Sequence, residues 1–237
     1  RNYPSDACSV QAAIGAVNAV AFDISAACAG FIFAMNIVEG FFKAGIYKTA
    51  LIIGAETLSK VTDWSDRGTC VLFGDGAGAA VLKAEETGII DMMMGADGTK
   101  GDVLACTSRT VGNFLTGTKP ELGFMTMDGQ EVFKFAVRKV PESVMELLQR
   151  TGTKKEDIKY YVLHQANERI IEAAARRLKE PMEKFPMTIG QFGNTSTASI
   201  PLLLDDMIQK DMLKRGDKII MSGFGAGMTW GAVLMEW

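Results

Sequence analysis

The chain has 237 residues, 48% of them hydrophobic and 22% charged, and a net charge of −3 at neutral pH. That composition argues against disorder, gives no overall electrostatic reason to expect nucleic acid, and allows a sizeable core in one large or two smaller domains. Four scattered cysteines, Cys8, Cys28, Cys70 and Cys106, contain no C-x-x-C pair; they suggest neither zinc nor a disulfide framework and suit a reducing cytosol.

The opening stretch, RNYPSDACSVQAAIG, reads as the end of a helix, so a segment upstream of Arg1 is expected. Residues 20–24 form a short apolar strand. Residues 28–44 follow as a helix, with Ser25 as candidate N-cap and Gly45 as the stop. This helix is apolar on nearly all sides, which places it in the interior. Its apolar run, 26–38, is too short to span a bilayer, which takes roughly 20 residues. Residues 49–56 and 76–85 read as buried strands, and strand–helix–strand order predicts an α/β layer fold with largely parallel pairing. The Gly- and Thr-rich stretch 97–120 reads as a loop.

The second half repeats this order. Residues 158–164 form a strand, 167–179 and 196–213 helices, and DKIIMSG and TWGAVLMEW the closing strands. FGDGAGAAVL (73–82) and FGAGMTWGAVL (224–234) share Phe-Gly-x-Gly followed by an Ala-Val-Leu strand. Together these features point to a duplicated α/β unit, 1–87 and 88–237, with a junction near residues 84–91.

Three polar groups stand out, and each has a bland alternative. A lone cysteine is commonly a small buried hydrophobe, but Cys28 falls in the first turn of a helix, just past a strand end. Backbone N–H groups and the helix dipole favour a thiolate there, and open α/β sheets bind ligands at that end. His164, the single histidine, ends the strand YYVLH. Alone it reads as a hydrogen-bonded core residue, yet it matches the cysteine region in the other half. Asn194, in QFGNTSTAS, reads locally as a turn residue. If the halves pack by pseudo-symmetry, the strand ends meet in one pocket. GDGAG (74–78) lacks the dinucleotide fingerprint and leads into a strand, so a tight turn is the better reading. The turn in FGAGMTWG can aim a backbone N–H into the pocket, as an oxyanion hole requires. Arg169, Arg176 and Arg177 share one helix face, and Lys134, Arg138 and Lys139 form a second basic cluster. These are either solvated surface or a docking patch for an acidic partner.

DISAACAGF, DRGTCVLFGDGAGAAVL, HQAN, GNTSTASIP and FGAGMTWG together resemble the β-ketoacyl-acyl-carrier-protein synthase III enzymes of bacterial fatty-acid synthesis. The likeness runs from Tyr3 to Trp237. It implies the thiolase-like fold, two α/β halves in a five-layer αβαβα arrangement, with the first half lacking roughly 80 family residues before Arg1. It implies a cytoplasmic homodimer that takes acyl-CoA as a substrate and malonyl-acyl-carrier protein as a partner, with no cofactor, metal, nucleic acid or membrane. It assigns Cys28 as nucleophile, His164 and Asn194 as donors to the malonyl thioester, and the backbone N–H groups of Cys28 and Ala226 as the oxyanion hole. Arg67, Gly129 and Asn167 would contact coenzyme A, and Lys134, Arg169, Arg176 and Arg177 would face the carrier protein. The reaction implied is a decarboxylative Claisen condensation. The alternatives are a condensing relative of polyketide or quinolone type and, from the Cys–His–Asn order alone, a papain-like hydrolase, although AACAGF lacks that family's paired cysteine and tryptophan.

Overall fold

The computed structural model describes residues 4–107, 111–121 and 123–237; residues 108–110 of the expected loop lie outside them. The elements begin with α1 (Asp6–Ala13), a 3-10 turn (Ala27–Ala29) running into α2 (Gly30–Lys43), β1 (Thr49–Glu56) and β2 (Gly76–Lys83). Then come β3 (Ile89–Ala96), β4 (Leu104–Cys106), β5 (Met125–Met127), α3 (Gly129–Thr151), β6 (Ile158–Leu163) and α4 (Glu168–Leu178). The chain closes with α5 (Ile189–Phe192), a 3-10 turn (Ser196–Ala198) running into α6 (Ser199–Gln209), β7 (Lys218–Gly225) and β8 (Thr229–Glu236).

Several expectations are corrected. Residues 20–24 are not a strand. Val20, Phe22 and Ile24 are exposed, and apolar composition makes a strand only where a neighbour satisfies the backbone. Ser25 does not cap the following turn; Ala26 occupies that position without a side-chain bond. Gly45 does end α2, in the left-handed region at φ 69°. Pairing is mostly antiparallel: β1–β2, β3–β8, β4–β5 and β7–β8 are antiparallel, and β6–β7 alone is parallel among the described strands. The short turn between β7 and β8 cannot make the crossover that parallel neighbours need. The 97–120 stretch holds β4 and a 3-10 segment (Gly98–Val103).

The sheet β3-β8-β7-β6 is buried on both faces. Strand alternation sorts its side chains. Tyr161, Leu163, Ile220, Ala232 and Leu234 pack with α3 and α4; Val162, Ile219, Met221 and Val233 pack with α2 and α6. The opposite side of the α2/α6 layer meets β1 and β2. Four of the five expected layers are thus formed by the described residues. On the outer face of the β1–β2 sheet, Leu51, Ile53 and Val81 stay exposed, because no described helix packs there and α1 buries none of its residues.

The duplication is visible in registry. Gly54 of β1 pairs with Gly78 of β2, and Gly223 of β7 with Gly231 of β8. A Cβ on Gly54 would lie 2.6 Å from the Thr197 carbonyl oxygen; one on Gly223 would lie 3.5 Å from that of Cys28. A Cβ on Gly78 would meet Pro201 at 2.9 Å, and one on Gly231 would meet Ile32 at 2.7 Å. Each strand pair therefore passes under the helix start of the opposite half. This equivalence is one residue out of step with the matched Ala-Val-Leu strings.

Candidate active site

The two 3-10 turns meet at the middle of the molecule. Thr197 Oγ1 donates to the Ala27 carbonyl at 2.8 Å, and a Cβ on Gly30 would touch that hydroxyl at 3.0 Å. Thr229 Oγ1 lies 3.1 Å from the Ala26 carbonyl oxygen and 3.2 Å from that of Ala226, tying the β7–β8 turn to the cysteine turn. A Cβ on Gly225 would sit 2.5 Å from the Cys28 backbone nitrogen, so only glycine lets the end of β7 approach so closely.

One cavity of about 210 Å³ is lined by Cys28, His164 and Asn194 together. Cys28 is presented by its 3-10 turn, immediately before α2. His164 follows the end of β6, its N–H bonded to the Ser222 carbonyl at 2.8 Å. Asn194 is held by two main-chain bonds to the 72–74 segment: its N–H donates to Leu72 O at 2.8 Å, and its carbonyl accepts from Gly74 N–H at 2.9 Å. The preceding Gly193 takes φ 67°, a left-handed turn that suits glycine.

Each polar group has one end occupied. His164 Nδ1 lies 2.6 Å from Ser199 Oγ, which also accepts from Gln165 N–H at 3.2 Å. Asn194 Oδ1 accepts from Ser196 N–H at 2.9 Å, so the amide NH₂ is its remaining donor. The Phe224 ring lies edge-on to the imidazole, centroids 5.5 Å apart. Burial lowers the His164 pKa to about 3 and keeps the ring neutral at physiological pH. Burial likewise pushes the Cys28 thiol up to about 11, with the Ser196 hydroxyl opposing the shift and the Glu56 charge adding to it. The expectation that the helix start alone favours a thiolate is therefore corrected: desolvation outweighs it.

The remaining wall is largely apolar, with Phe73, Leu104, Met127, Val132, Phe133 and Ile170. Gly129 and Asn167 also line it, at the N-termini of α3 and α4. Asn167 Oδ1 caps α4 by accepting from Arg169 N–H at 2.9 Å, and Asp128 caps α3. Two assigned residues fall outside the wall. Arg67 is exposed beside Gly68, which does line the cavity, and Ala226 follows Gly225, which does.

The basic residues differ in freedom. Arg177 Nη1 donates to the Val137 carbonyl at 3.2 Å and lies 3.8 Å from Glu142. Lys134 pairs with Glu131 at 2.8 Å and Arg176 with Glu172 at 3.6 Å, both cations largely exposed. Lys139 stacks over Trp230, 4.5 Å from the ring centroid. Arg169 is exposed, and its guanidinium makes no ion pair within the described residues. Sequence reasoning missed Ser196, Ser199 and Glu56. Only their place in the fold reveals them, since Ser and Thr before a helix normally read as caps.

Residues 22–98 match the family described as "3-Oxoacyl-[acyl-carrier-protein (ACP)] synthase III", and residues 148–237 match its C-terminal family. The chain belongs to the β-ketoacyl-acyl-carrier-protein synthase III family (3-oxoacyl is the same acyl group). A synthase III of Clostridium novyi (strain NT) is 53% identical over 99% of this chain and 73% of its own length. A synthase III of Clostridium acetobutylicum is 51% identical over the same shares. The crystal structure of the Aquifex aeolicus VF5 synthase III superposes with a TM-score of 0.91, at 45% identity over 100% of this chain and 73% of that one. The priming β-ketosynthase of the R1128 polyketide pathway has a TM-score of 0.89 at 33% identity, covering 100% of this chain and 71% of its own. The fold is that of the synthase III enzymes.

Proposed function

We propose that this protein condenses a short acyl-CoA with malonyl-acyl-carrier protein, the initiating step of fatty-acid synthesis. The observation that carries the reading is the convergence of Cys28, His164 and Asn194 on one largely apolar cavity. In the first half-reaction the Cys28 sulfur attacks the acyl thioester and coenzyme A leaves. The Cys28 backbone N–H and, on the turn after Gly225, that of Ala226 hold the oxyanion. A preorganised donor of this kind contributes about 3 kcal/mol.

In the second half-reaction His164 and Asn194 hold the malonyl thioester carbonyl while CO₂ departs, and the resulting carbanion attacks the acyl group on Cys28. For His164 to donate to the thioester its proton resides on Nε2, and Ser199 Oγ then donates to Nδ1 while accepting from Gln165 N–H. A neutral imidazole and an amide disperse the enolate charge without protonating it. The Asn194 side-chain oxygen accepts from Ser196 N–H rather than from His164, which disfavours the His–Asn pairing of a papain-like hydrolase. The polyketide-type reading draws on the R1128 relative, and primer and extender assays separate it.

Gly129 and Asn167 flank the pantetheine arm, Arg67 the adenine, and Arg169, Arg176, Arg177 and Lys134 the acidic carrier protein. We place the enzyme in the cytoplasm as a homodimer of chains built from the 1–87 and 88–237 halves; the four free cysteines fit a reducing compartment. Intact mass after incubation with a panel of acyl-CoAs tests the reading. Addition of one acyl group, then its loss on adding malonyl-acyl-carrier protein with release of CO₂, is the expected result. A protein left unmodified by every acyl-CoA would refute it.

A further inference from the structure

Asn194 can donate to a thioester carbonyl only if its side chain lies one way round. A backbone N–H bonds to the amide oxygen and not to the amide NH₂. The Ser196 N–H, 2.9 Å from Asn194 Oδ1, therefore fixes that choice and leaves the NH₂ group as the free end. The Asn194 main chain is held from the 72–74 segment, but its amide is set from Ser196. Ser196 itself takes φ 51°, a conformation that a residue with a Cβ keeps only where its surroundings impose it. Thr195, at the cap position, offers the turn no side-chain bond. The support comes from another strand: Ser196 Oγ donates to Glu56 Oε1 at 3.1 Å.

Glu56 is the last residue of β1. Two residues earlier, a Cβ on Gly54 would lie 2.6 Å from the Thr197 carbonyl oxygen, and one on Gly76, the strand partner of Glu56, would lie 3.0 Å from Thr195 Cγ2. β1 and β2 thus run directly against the turn, and the side chain that ends β1 meets the Ser196 hydroxyl. We propose that Glu56 is a positioning residue for Asn194. Its carboxylate holds the Ser196 hydroxyl and with it the left-handed backbone. The Ser196 N–H then holds the Asn194 side-chain oxygen, and the NH₂ group is aimed at the malonyl thioester. No proton is transferred along this path, and Glu56 touches no substrate.

Neighbouring groups are committed elsewhere. Among the described residues the Glu56 side chain hydrogen-bonds to Ser196 alone. Asp75, next to the strand partner of Glu56, accepts from Ser59 N–H at 2.8 Å and from Ser59 Oγ at 2.6 Å. Thr197 Oγ1 donates to the Ala27 carbonyl at 2.8 Å, and Ser199 Oγ lies 2.6 Å from His164 Nδ1. His164 and Asn194 therefore have separate supports, and Glu56 acts on Asn194.

The inference rests on the role proposed for Asn194 in the second half-reaction, so one readout is independent of activity. Exchange of the Ser196 amide hydrogen is followed by NMR in the ¹⁵N-serine-labelled full chain, with Ser196→Ala identifying the signal and Ser222, in the central strand β7, as reference. Glu56→Ala should speed exchange at Ser196 at least tenfold and leave Ser222 unchanged. Glu56→Gln keeps an oxygen acceptor for the hydroxyl and should exchange as the starting protein does. In the reaction, Glu56→Ala should take up the acyl group from acyl-CoA at least as fast, because it removes a charge that opposes the Cys28 thiolate. It should release CO₂ from malonyl-acyl-carrier protein about tenfold more slowly, part of the 10²–10³-fold typical of losing a whole donor, and Glu56→Gln should restore that rate. Equal slowing of both half-reactions, or exchange accelerated as much at Ser222 as at Ser196, would make Glu56 a general stabilising residue and overturn the proposal. A Glu56→Gln variant that behaves like Glu56→Ala would put the effect on charge and overturn it too. If the starting protein releases no CO₂, the proposed function fails, and the Ser196 exchange rates alone decide the positioning.

Discussion

Ala27 and Ser196 occupy equivalent places at the starts of α2 and α6, with φ of 46° and 51°. Each sits in a 3-10 turn whose neighbouring cap position makes no side-chain bond, and each turn rests on a glycine of the opposite half's sheet. The shared left-handed geometry is a strain of order 1 kcal/mol or more at a non-glycine residue, retained in both halves. The next residue differs: Cys28 in one turn, Thr197 in the other. The Cys28 turn places the proposed nucleophile against the cavity, and the Ser196 turn supplies hydroxyls and the anchoring of Asn194. A duplicated backbone has been divided between attack and support.

The two turns part most sharply at sulfur. Cys28→Ala should abolish acyl-enzyme formation, whereas Thr197→Val, at the equivalent site, should still take up the acyl group. Intact mass spectrometry reads both, and a labelled acyl group remaining on Cys28→Ala would sink the assignment. Next come the carbonyl donors. His164→Ala or Asn194→Ala should leave acylation of Cys28 in place and lower the rate of CO₂ release from malonyl-acyl-carrier protein by about 10²–10³-fold, the typical cost of one such donor. Equal loss in both half-reactions would mean that these residues shape the cavity rather than serve one step.

The supporting glycines sharpen the same contrast. Gly225→Ala would place a methyl 2.5 Å from the Cys28 nitrogen, and Gly54→Ala one 2.6 Å from the Thr197 carbonyl. Each should destabilise by about 1–3 kcal/mol in urea unfolding, the usual cost of overpacking. Gly225→Ala should also slow acylation more than Gly54→Ala, because it displaces the nucleophile's own backbone.

Two buried cavity groups, His164 and Cys28, limit stability from opposite sides. His164 titrates near 3 in the folded chain and about 6.5 when unfolded. The unfolded chain takes that proton first, so stability falls as pH drops from about 6.5 towards 3. Cys28 titrates near 11 folded and about 8.5 unfolded. The unfolded chain loses that proton first, so stability falls as pH rises from about 8.5 towards 11. Each limb can reach a slope of about 1.4 kcal/mol per pH unit. Urea midpoints from pH 8.5 to 10 should flatten in Cys28→Ala, and those from pH 6.5 to 4 in His164→Gln.

The strands 49–56 and 158–163 and the helix after Asn167 were legible in the sequence because apolar periodicity and flanking breakers agreed. That Cys28, His164 and Asn194 line one cavity was legible only through motif context, since each alone passes for core or turn. Pairing direction was not legible: β7 and β8 look like any two buried strands until the shortness of their turn is taken into account. The 23-residue α3 was missed, although Asp128 caps it and Gly152 closes it at φ 66°, because Pro141 lies mid-helix and interrupts the pattern. Ser196 and Glu56 lie 140 residues apart in sequence, and no local signal links them.

The smallest effects belong to the rim, where α4 carries two kinds of arginine. Arg177 is fixed between helices, its guanidinium on the Val137 carbonyl and near Glu142, whereas Arg169 is exposed two residues from the cavity-lining Asn167. A fixed cation has already committed its hydrogen bonds to its own fold; a free one can offer them to a partner. Rim charges usually act by less than about 1 kcal/mol at each contact and mostly on encounter. Arg169→Glu should therefore raise KM for malonyl-acyl-carrier protein several-fold at low salt, leave KM for acyl-CoA nearly unchanged, and lose much of its effect at high salt. Arg177→Glu should raise the same KM less than Arg169→Glu does and also lower thermal stability, through the lost contact with α3. Equal rises in both KM values for Arg169→Glu would place that side chain on the coenzyme A path and take it out of the carrier-protein surface.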